Sequence, residues 1–150
     1  MARPPEDVIA AARDSHRKFG IPASVSLAQW ALESGWGAHM PPGSLNPFGM
    51  KGRVGKGDPT VTVPTREVIG GRSVVINAPF RKFASITDAF DAHAELLGTA
   101  KVYAPARTAL PDPDAFASAL TGVYATDPKY GILLRSIMRG SKLYQYDVAA

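Results

Sequence analysis

Cysteine is absent from this chain of 150 residues, which excludes disulfide bonds and thiolate chemistry. The fold must therefore be held together by packing alone. The sequence also lacks any run of about 18 or more apolar residues, so no membrane-inserted helix is expected. The first residues, Met1 to Asp7, lack the apolar stretch of a secretory signal, so an exported protein would need another route or a signal that has been removed.

Charge of either sign is moderate, with 17 basic and 13 acidic residues and a net charge of +4. The basic excess lies between Lys51 and Lys82, where seven basic residues accompany only Asp58 and Glu67. Such a segment is either a solvated surface or a field that attracts a polyanion. A nucleic-acid binder needs a basic and aromatic sheet or a reading helix, and neither is clear, so no nucleic-acid partner is predicted.

The length, with 45% hydrophobic and 20% charged residues, is typical of one globular domain, predicted here over 1–150 without a linker. Apolar spacing and flanking Pro and Gly residues predict a helix over 4–19 and a second from Pro22 to Gly35 or Gly37. An irregular loop follows over 36–59. Alternating β-branched residues then predict two or three strands in a β insertion over about 58–83, interrupted at Gly70-Gly71.

Three further helices are predicted in the second half of the chain. The first follows Ser85 or Thr87 as N-cap, and the others begin at Asp112-Pro113 and Asp127-Pro128. The fold class is therefore α+β and mainly α, with about five helices and a small β-hairpin lobe after the second helix.

Glu33 is the strongest candidate for chemistry. It falls in the last turn of an apolar helix, between Trp30 and Trp36, where the chain enters a glycine-rich loop. A partly desolvated carboxyl has a raised pKa, which suits a general acid near neutral pH. The structural alternative is a helix-end Glu that binds loop amides.

Four short motifs follow one another in the sequence. They are Ala31-Leu32-Glu33-Ser34-Gly35-Trp36-Gly37, Asn46-Pro47-Phe48-Gly49-Met50-Lys51-Gly52, Phe80-Arg81-Lys82-Phe83 and Tyr124-Ala125-Thr126-Asp127-Pro128-Lys129-Tyr130. Together they resemble the glucosaminidases of glycoside hydrolase family 73, which include the wall-cutting domain of flagellar rod-assembly proteins and many autolysins. The resemblance covers about two-thirds of the chain. Pro47 departs from the Leu that the family commonly has there.

The resemblance implies a lysozyme-like fold, in which a substrate groove separates the helical and β lobes. It also implies that Glu33 is the general acid and that Tyr124 faces the groove close to it. Glu67 is the candidate second acid, although it is equally interpreted as an ion-pair partner of Arg66 or Arg81. The acetamido oxygen of the substrate is the alternative internal nucleophile.

Further residues are expected to bind substrate. They are Gln29, Trp36, Asn46, Phe48, Gly49, Lys51, Thr126 and Tyr130. Core packing is the favoured alternative for Phe48 and Tyr130, and capping is the alternative for Thr126. Gln29, one turn before Glu33, would either orient its carboxyl or touch sugar.

No cofactor is expected. His16, His39 and His93 are scattered without metal-ligand spacing, and no glycine loop of the phosphate-binding type is present.

The predicted reaction is hydrolysis of the β-1,4 bond between N-acetylglucosamine and N-acetylmuramic acid in peptidoglycan. The alternatives are a muramidase or lytic transglycosylase on the same polymer, or a module that binds peptidoglycan without cutting it. A monomer that acts at the bacterial cell wall or periplasm is expected. Delivery would be by phage lysis, by a secretion machine or within a longer parent protein, and an injected effector would have a cognate inhibitor protein as partner.

Overall fold

The computed structural model describes residues 2–149, so Met1 and Ala150 of the predicted domain lie outside the described residues. The helices of this part are α1 Glu6–Phe19, α2 Ala23–Ser34, α3 Ile86–Thr99, α4 Ala104–Arg107, α5 Pro113–Ala119 and α6 Tyr130–Gly140. The strands are β1 Thr60–Ile69 and β2 Arg72–Arg81, and short 3-10 segments cover Lys101–Tyr103 and Leu143–Tyr146.

The mainly α architecture with a β-hairpin after the second helix is confirmed. The additional helix is α4, whose four residues are too few to show an apolar period. The predicted start of α6 was wrong, because the helix begins at Tyr130, with Lys129 rather than Asp127 as N-cap. Asp127 instead closes the preceding turn, where its Oδ1 accepts a hydrogen bond from the backbone N–H of Lys129 at 2.8 Å.

The second helix lies at the centre of the protein. Every residue from Ala23 to Ala31 is buried, and a helix that is apolar on nearly all sides requires neighbours on all sides. Buried side chains from all six helices form one connected core around it. The helix ends at Gly35, whose left-handed φ of 56° is the usual glycine C-cap conformation. Glu33 is thereby carried on a rigid, buried helix to the edge of the core.

Gly70 and Gly71 connect the two strands of the hairpin, and both have positive φ (58° and 77°). A two-residue turn needs positive φ at both positions to match the right-handed twist of paired strands. The base of the hairpin is tied to the loop that follows α2. The N–H of Arg81 donates to the carbonyl of Met50, and the N–H of Gly52 donates to the carbonyl of Pro79, each at 2.8 Å. A third strand does not form in the described residues, because Lys51 makes only an isolated bridge with Phe80.

Between residues 2 and 149, no helix has the length and apolar composition needed to cross a bilayer.

Candidate active site

The turn after α2 explains the Glu-Ser-Gly-Trp-Gly motif. Ser34 is buried, donates its hydroxyl to the carbonyl of Trp30 and accepts the N–H of Gly37 at 2.8 Å. Gly35 and Trp36 both have left-handed φ values, 56° and 60°. The positive φ of Gly35 favours glycine, and a Cβ there would also lie 2.8 Å from Cδ2 of His39, whose exposed ring would have to shift. The chain therefore turns away directly after Glu33 and leaves its side chain uncovered.

Glu33 opens onto a groove of about 420 Å³ between the end of α2 and the hairpin. One wall is formed by residues 38–41 and by the loop that contains Asn46 and Gly49. Val63, Thr65 and Phe80 of the hairpin form the facing wall. This is the two-lobed arrangement with a groove that the resemblance implied, and the acid candidate lies in it.

The carboxyl of Glu33 has a perturbed pKa. Glu33 as a residue is exposed, yet the protein packed around its carboxyl raises the pKa above the ordinary value by desolvation. A hydrogen bond from the Tyr130 hydroxyl to Oε1, 3.1 Å long, opposes that shift because it stabilises the ionised form. The net direction is upward, so the proton is held to higher pH than on a free Glu, as a general acid requires.

Tyr130 belongs to a chain of buried hydrogen bonds that ends at Glu33. Its hydroxyl accepts from Nε2 of Gln29 at 2.9 Å, and Oε1 of Gln29 lies 2.8 Å from Nε2 of His93. Gln29 and His93 are completely buried, and Tyr130 is 3% exposed. Burial lowers the pKa of His93 to about 3, so the imidazole is neutral at physiological pH.

Aromatic rings surround this series of hydrogen bonds. Phe48 is stacked on His93 with ring centroids 4.0 Å apart, and Tyr124 is stacked on Tyr130 at 5.8 Å. Tyr124 also presents an edge to His93 at 6.0 Å. The polar groups are therefore shielded on several sides by flat apolar surfaces, which strengthens the hydrogen bonds between them.

The tyrosine that donates a hydrogen bond to Glu33 is Tyr130, for which core packing was the favoured interpretation. Tyr124 is partly exposed and is stacked on Tyr130, and its pKa is raised by burial and also by the carboxylate of Glu33, which lies near it. Its expected position facing the groove stays a prediction. Gly131, the next residue of α6, explains the position of Tyr130. A Cβ on Gly131 would lie 2.8 Å from the Cα of Ser118 in α5, so only glycine permits this close approach. Tyr130 thus enters the core at the first residue of α6, while Tyr124 lies behind its ring.

Asn46 lines the groove but uses its side chain within the protein. Its Nδ2 donates to the carbonyls of Met50 and Arg81 at 2.8 and 2.9 Å, and its Oδ1 accepts from the N–H groups of Phe48 and Met50 at 3.2 Å. Asn46 therefore joins the loop to the hairpin, and Gly49 contributes backbone to the groove. Phe48 is only 5% exposed, and the expectation that its ring meets substrate was wrong.

Glu67 forms an ion pair with Lys51, Nζ to Oε1 2.8 Å, rather than with Arg66 or Arg81. It lies two residues beyond Thr65 on the same face of β1, roughly 7 Å further along the strand. Lys51 and Glu67 neutralise each other on the hairpin and are not among the residues that line the groove.

The other predicted binding residues lie elsewhere. Trp36 is half-buried against Trp30, edge to face at 5.6 Å, and Thr126 is exposed in the segment between α5 and α6. Gln29 is fully buried and reaches Glu33 only through Tyr130, so it does not touch sugar.

Sequence reasoning missed His93 and the groove residues Val63, Thr65 and His39. A signal for His93 was available, because it is a polar residue on the apolar face of α3, between Phe90 and Leu97, and a buried polar residue needs a partner. The hairpin residues carried no such signal. Within residues 2–149, no three His, Asp or Glu residues lie close enough together to hold a metal ion.

The fold and site define a class of protein: a mainly α glycosidase with a hairpin lobe and one desolvated carboxyl acid at the groove. Comparison with known proteins narrows the class. The family model described as mannosyl-glycoprotein endo-beta-N-acetylglucosaminidase matches residues 9–143. The chain therefore belongs to the glucosaminidase family, glycoside hydrolase family 73.

Individual relatives agree with this assignment. The chain is 36% identical to the exo-glucosaminidase LytG of Bacillus subtilis over 88% of its own length and 48% of LytG. It is 34% identical to a probable N-acetylmuramidase of Lactococcus lactis over 97% of its length and 34% of that protein. The catalytic domain of the autolysin Auto from Listeria monocytogenes superposes with a TM-score of 0.79 at 30% identity, covering 98% of this chain and 91% of that domain. The chain thus spans half or less of these curated relatives.

Proposed function

We propose that this chain, acting as a single domain, hydrolyses the β-1,4 bond between N-acetylglucosamine and N-acetylmuramic acid in peptidoglycan, with Glu33 as general acid. The observation that carries the proposal is the Glu33 carboxyl, which lies in the groove with a raised pKa and has one oxygen engaged by Tyr130. Because Oε1 accepts from Tyr130, Oε2 carries the acid proton toward the glycosidic oxygen. The C1–O bond then breaks, a water oxygen bonds to C1, and the proton that this water releases returns to Glu33.

The second group in the reaction is either Glu67 or the acetamido oxygen of the substrate. Glu67 lies on the same face of β1 as Thr65, which lines the groove, and its ion pair with Lys51 holds its carboxylate on the hairpin. A Glu67→Gln variant separates the two schemes. A loss of activity comparable to that of a Glu33 variant assigns Glu67 to the reaction, whereas a small loss assigns the step to the substrate.

The side of the disaccharide repeat that is cut is part of the proposal, because relatives bear both glucosaminidase and N-acetylmuramidase names. A muramidase is therefore the second candidate function. We further propose action at the bacterial cell wall, with delivery by phage lysis, a secretion machine or a longer parent protein. A cognate inhibitor that seals the groove is the partner expected for an injected effector.

The test measures turbidity loss of purified peptidoglycan, followed by mass analysis of borohydride-reduced fragments. We expect wild type to leave reduced N-acetylglucosamine ends and Glu33→Gln to lose about 10²- to 10⁴-fold in rate, the usual contribution of a general acid. Asp14→Asn is the control, since Asp14 lies on the exposed side of α1 and pairs only with Arg17. Reduced N-acetylmuramic ends identify a muramidase. Sedimentation with the wall without any release of fragments identifies a binding module.

A further inference from the structure

The buried hydrogen bonds behind Glu33 have a direction. Glu33 Oε1 has no proton to give when ionised, so the Tyr130 hydroxyl must donate to it, and the lone pairs of that hydroxyl are then free to accept from Gln29. The amide nitrogen of Gln29 therefore faces Tyr130, and its oxygen faces His93. Each donor in the series points toward the groove.

His93 determines that direction through its tautomer. With the proton on Nε2, His93 donates to Gln29 Oε1 across 2.8 Å, and Nδ1 is left as a lone pair. Nδ1 is buried and has no hydrogen-bond partner among the described residues. The opposite tautomer would bury an unpaired N–H at Nδ1 and would set two acceptors, Nε2 and the Gln29 oxygen, against each other.

The surroundings of His93 favour the neutral, fixed state. Phe48 covers one face of the imidazole and Tyr124 packs against it in a T-shaped arrangement, while α2 supplies Gln29. None of these groups carries a charge at neutral pH. The imidazole is therefore a permanent donor, unlike a histidine that alternates between charge states.

We propose that His93 and Gln29 are positioning residues that fix the Gln29 amide and thereby direct the Tyr130 hydroxyl proton onto Oε1 of Glu33. Without the His93 donor, the Gln29 amide is free to rotate by half a turn and present its oxygen to Tyr130. The phenol proton then turns from Glu33 to Gln29, and the acid loses the contact that determines which of its oxygens carries the proton. The proposal rests on the role of Glu33 as the acid.

Two variants of His93 separate the hydrogen bond from packing. His93→Phe keeps a flat ring against Phe48 but has no donor, whereas His93→Gln loses the ring but places an amide N–H near the former Nε2. Gln29→Met is a near-isosteric variant that removes both bonds made by Gln29. Phe90→Leu is the matched packing control, because Phe90 lies on α3 and meets the same Phe48 ring at 5.0 Å without any hydrogen bond.

The first measurement does not require activity. The ¹⁵N shifts of His93 report its tautomer, and ¹³C titration of the Glu33 carboxyl reports its pKa. We expect the Nε2–H tautomer in wild type. The Glu33 pKa should be higher in His93→Phe than in wild type, because the rotated Gln29 oxygen draws the phenol proton away. It should stay close to wild type in Gln29→Met, where the phenol keeps Glu33 as its acceptor. It should be restored toward wild type in His93→Gln and unchanged in Phe90→Leu.

The second measurement is the rate of wall hydrolysis at saturating substrate. His93→Phe should lower kcat roughly 3- to 10-fold, the loss expected for one neutral hydrogen bond, with the alkaline limb moved to higher pH. Gln29→Met should show the smaller effect of the two, with the alkaline limb close to that of wild type. An Nδ1–H tautomer in wild type overturns the proposal even where a variant fails to fold. An unchanged Glu33 titration in folded His93→Phe overturns it as well, as does a shift in Gln29→Met that is as large as the shift in His93→Phe. Failure of the proposed function would appear separately, as absent hydrolysis with the NMR shifts intact.

Discussion

Tyr130 is the side chain that adjusts the acidity of Glu33, since it is the only hydrogen-bond donor that the carboxyl has among the described residues. A donor to a carboxylate stabilises the ionised form and lowers the pKa, while burial of the carboxyl raises it. The two effects oppose each other on the same group. The pH dependence of the reaction is therefore expected to respond to a single phenol oxygen.

We predict that Tyr130→Phe moves the alkaline limb of kcat/KM to higher pH. The general acid works while protonated, so the rate falls as pH rises through the Glu33 pKa, and removal of the donor raises that pKa further. Rates measured on wall fragments across pH check this. Tyr144→Phe is the control, because Tyr144 donates to Asp114 away from the groove. A limb that stays in place or moves to lower pH would contradict the role given to Tyr130.

One buried amide adds side-chain hydrogen bonds to the backbone bonds that join the loop after α2 to the hairpin. Asn46 carries four hydrogen bonds that connect the loop after α2 to itself and to β2, and it is 1% exposed. Removal of its side chain leaves the backbone N–H groups of Phe48 and Met50 without the acceptor they have here, which is more damaging than the loss of surface bonds. The hairpin wall of the groove therefore depends on a residue that makes no use of its own chemistry toward substrate.

We predict that Asn46→Ala lowers the free energy of unfolding by about 2–3 kcal/mol and raises KM more than it lowers kcat. The first effect follows from the orphaned backbone groups. The second follows from a displaced wall with Glu33 still in place on α2. Denaturant unfolding and steady-state kinetics check both. Asn77→Ala, on the exposed side of β2, is the matched control and should change neither. Equal stability of the two variants would show that the Asn46 bonds are dispensable.

Acid sensitivity is a property of the whole molecule that arises from its core. The pKa of His93 is lowered to about 3 by burial, whereas the unfolded chain has the ordinary value near 6.5. Between these two values the unfolded state binds one more proton than the native state, so the free energy of unfolding falls as pH falls. The fold should consequently weaken over a pH range in which most of its carboxylates are still ionised.

We predict a loss of about 1.6 kcal/mol between pH 6.5 and pH 5 from this one group, because the slope starts at about half of 1.4 kcal/mol per pH unit and approaches that value by pH 5. Urea unfolding of wild type and His93→Phe over this range checks it, because the variant lacks the titrating ring and the difference between the two isolates its contribution. The variant should be less pH-dependent than wild type. Parallel curves for the two proteins would mean that His93 is not held neutral in the native state.

Much of the architecture was accessible from the sequence because its signals are local. Helical spacing, the N-caps Ser85 and Asp112, and the glycine pair 70–71 determine where elements begin and end. The four motifs were sufficient to place the chain in its family and to single out Glu33. The start of α6 was missed because the Asp127-Pro128 pair here forms a turn rather than a cap and first helical residue.

What the sequence determined by itself is therefore the order of the elements, the family and the choice of Glu33 as the candidate acid. The surroundings of that acid were decided by tertiary packing. Tyr130 rather than Tyr124 reaches Glu33 because Gly131 lets α6 approach α5, and His93 and Gln29 meet although they are 64 positions apart. Lys51 forms an ion pair with Glu67, and Phe48 packs in the core. Such pairings depend on which helix faces lie against each other in space, and no periodicity along the chain contains that information.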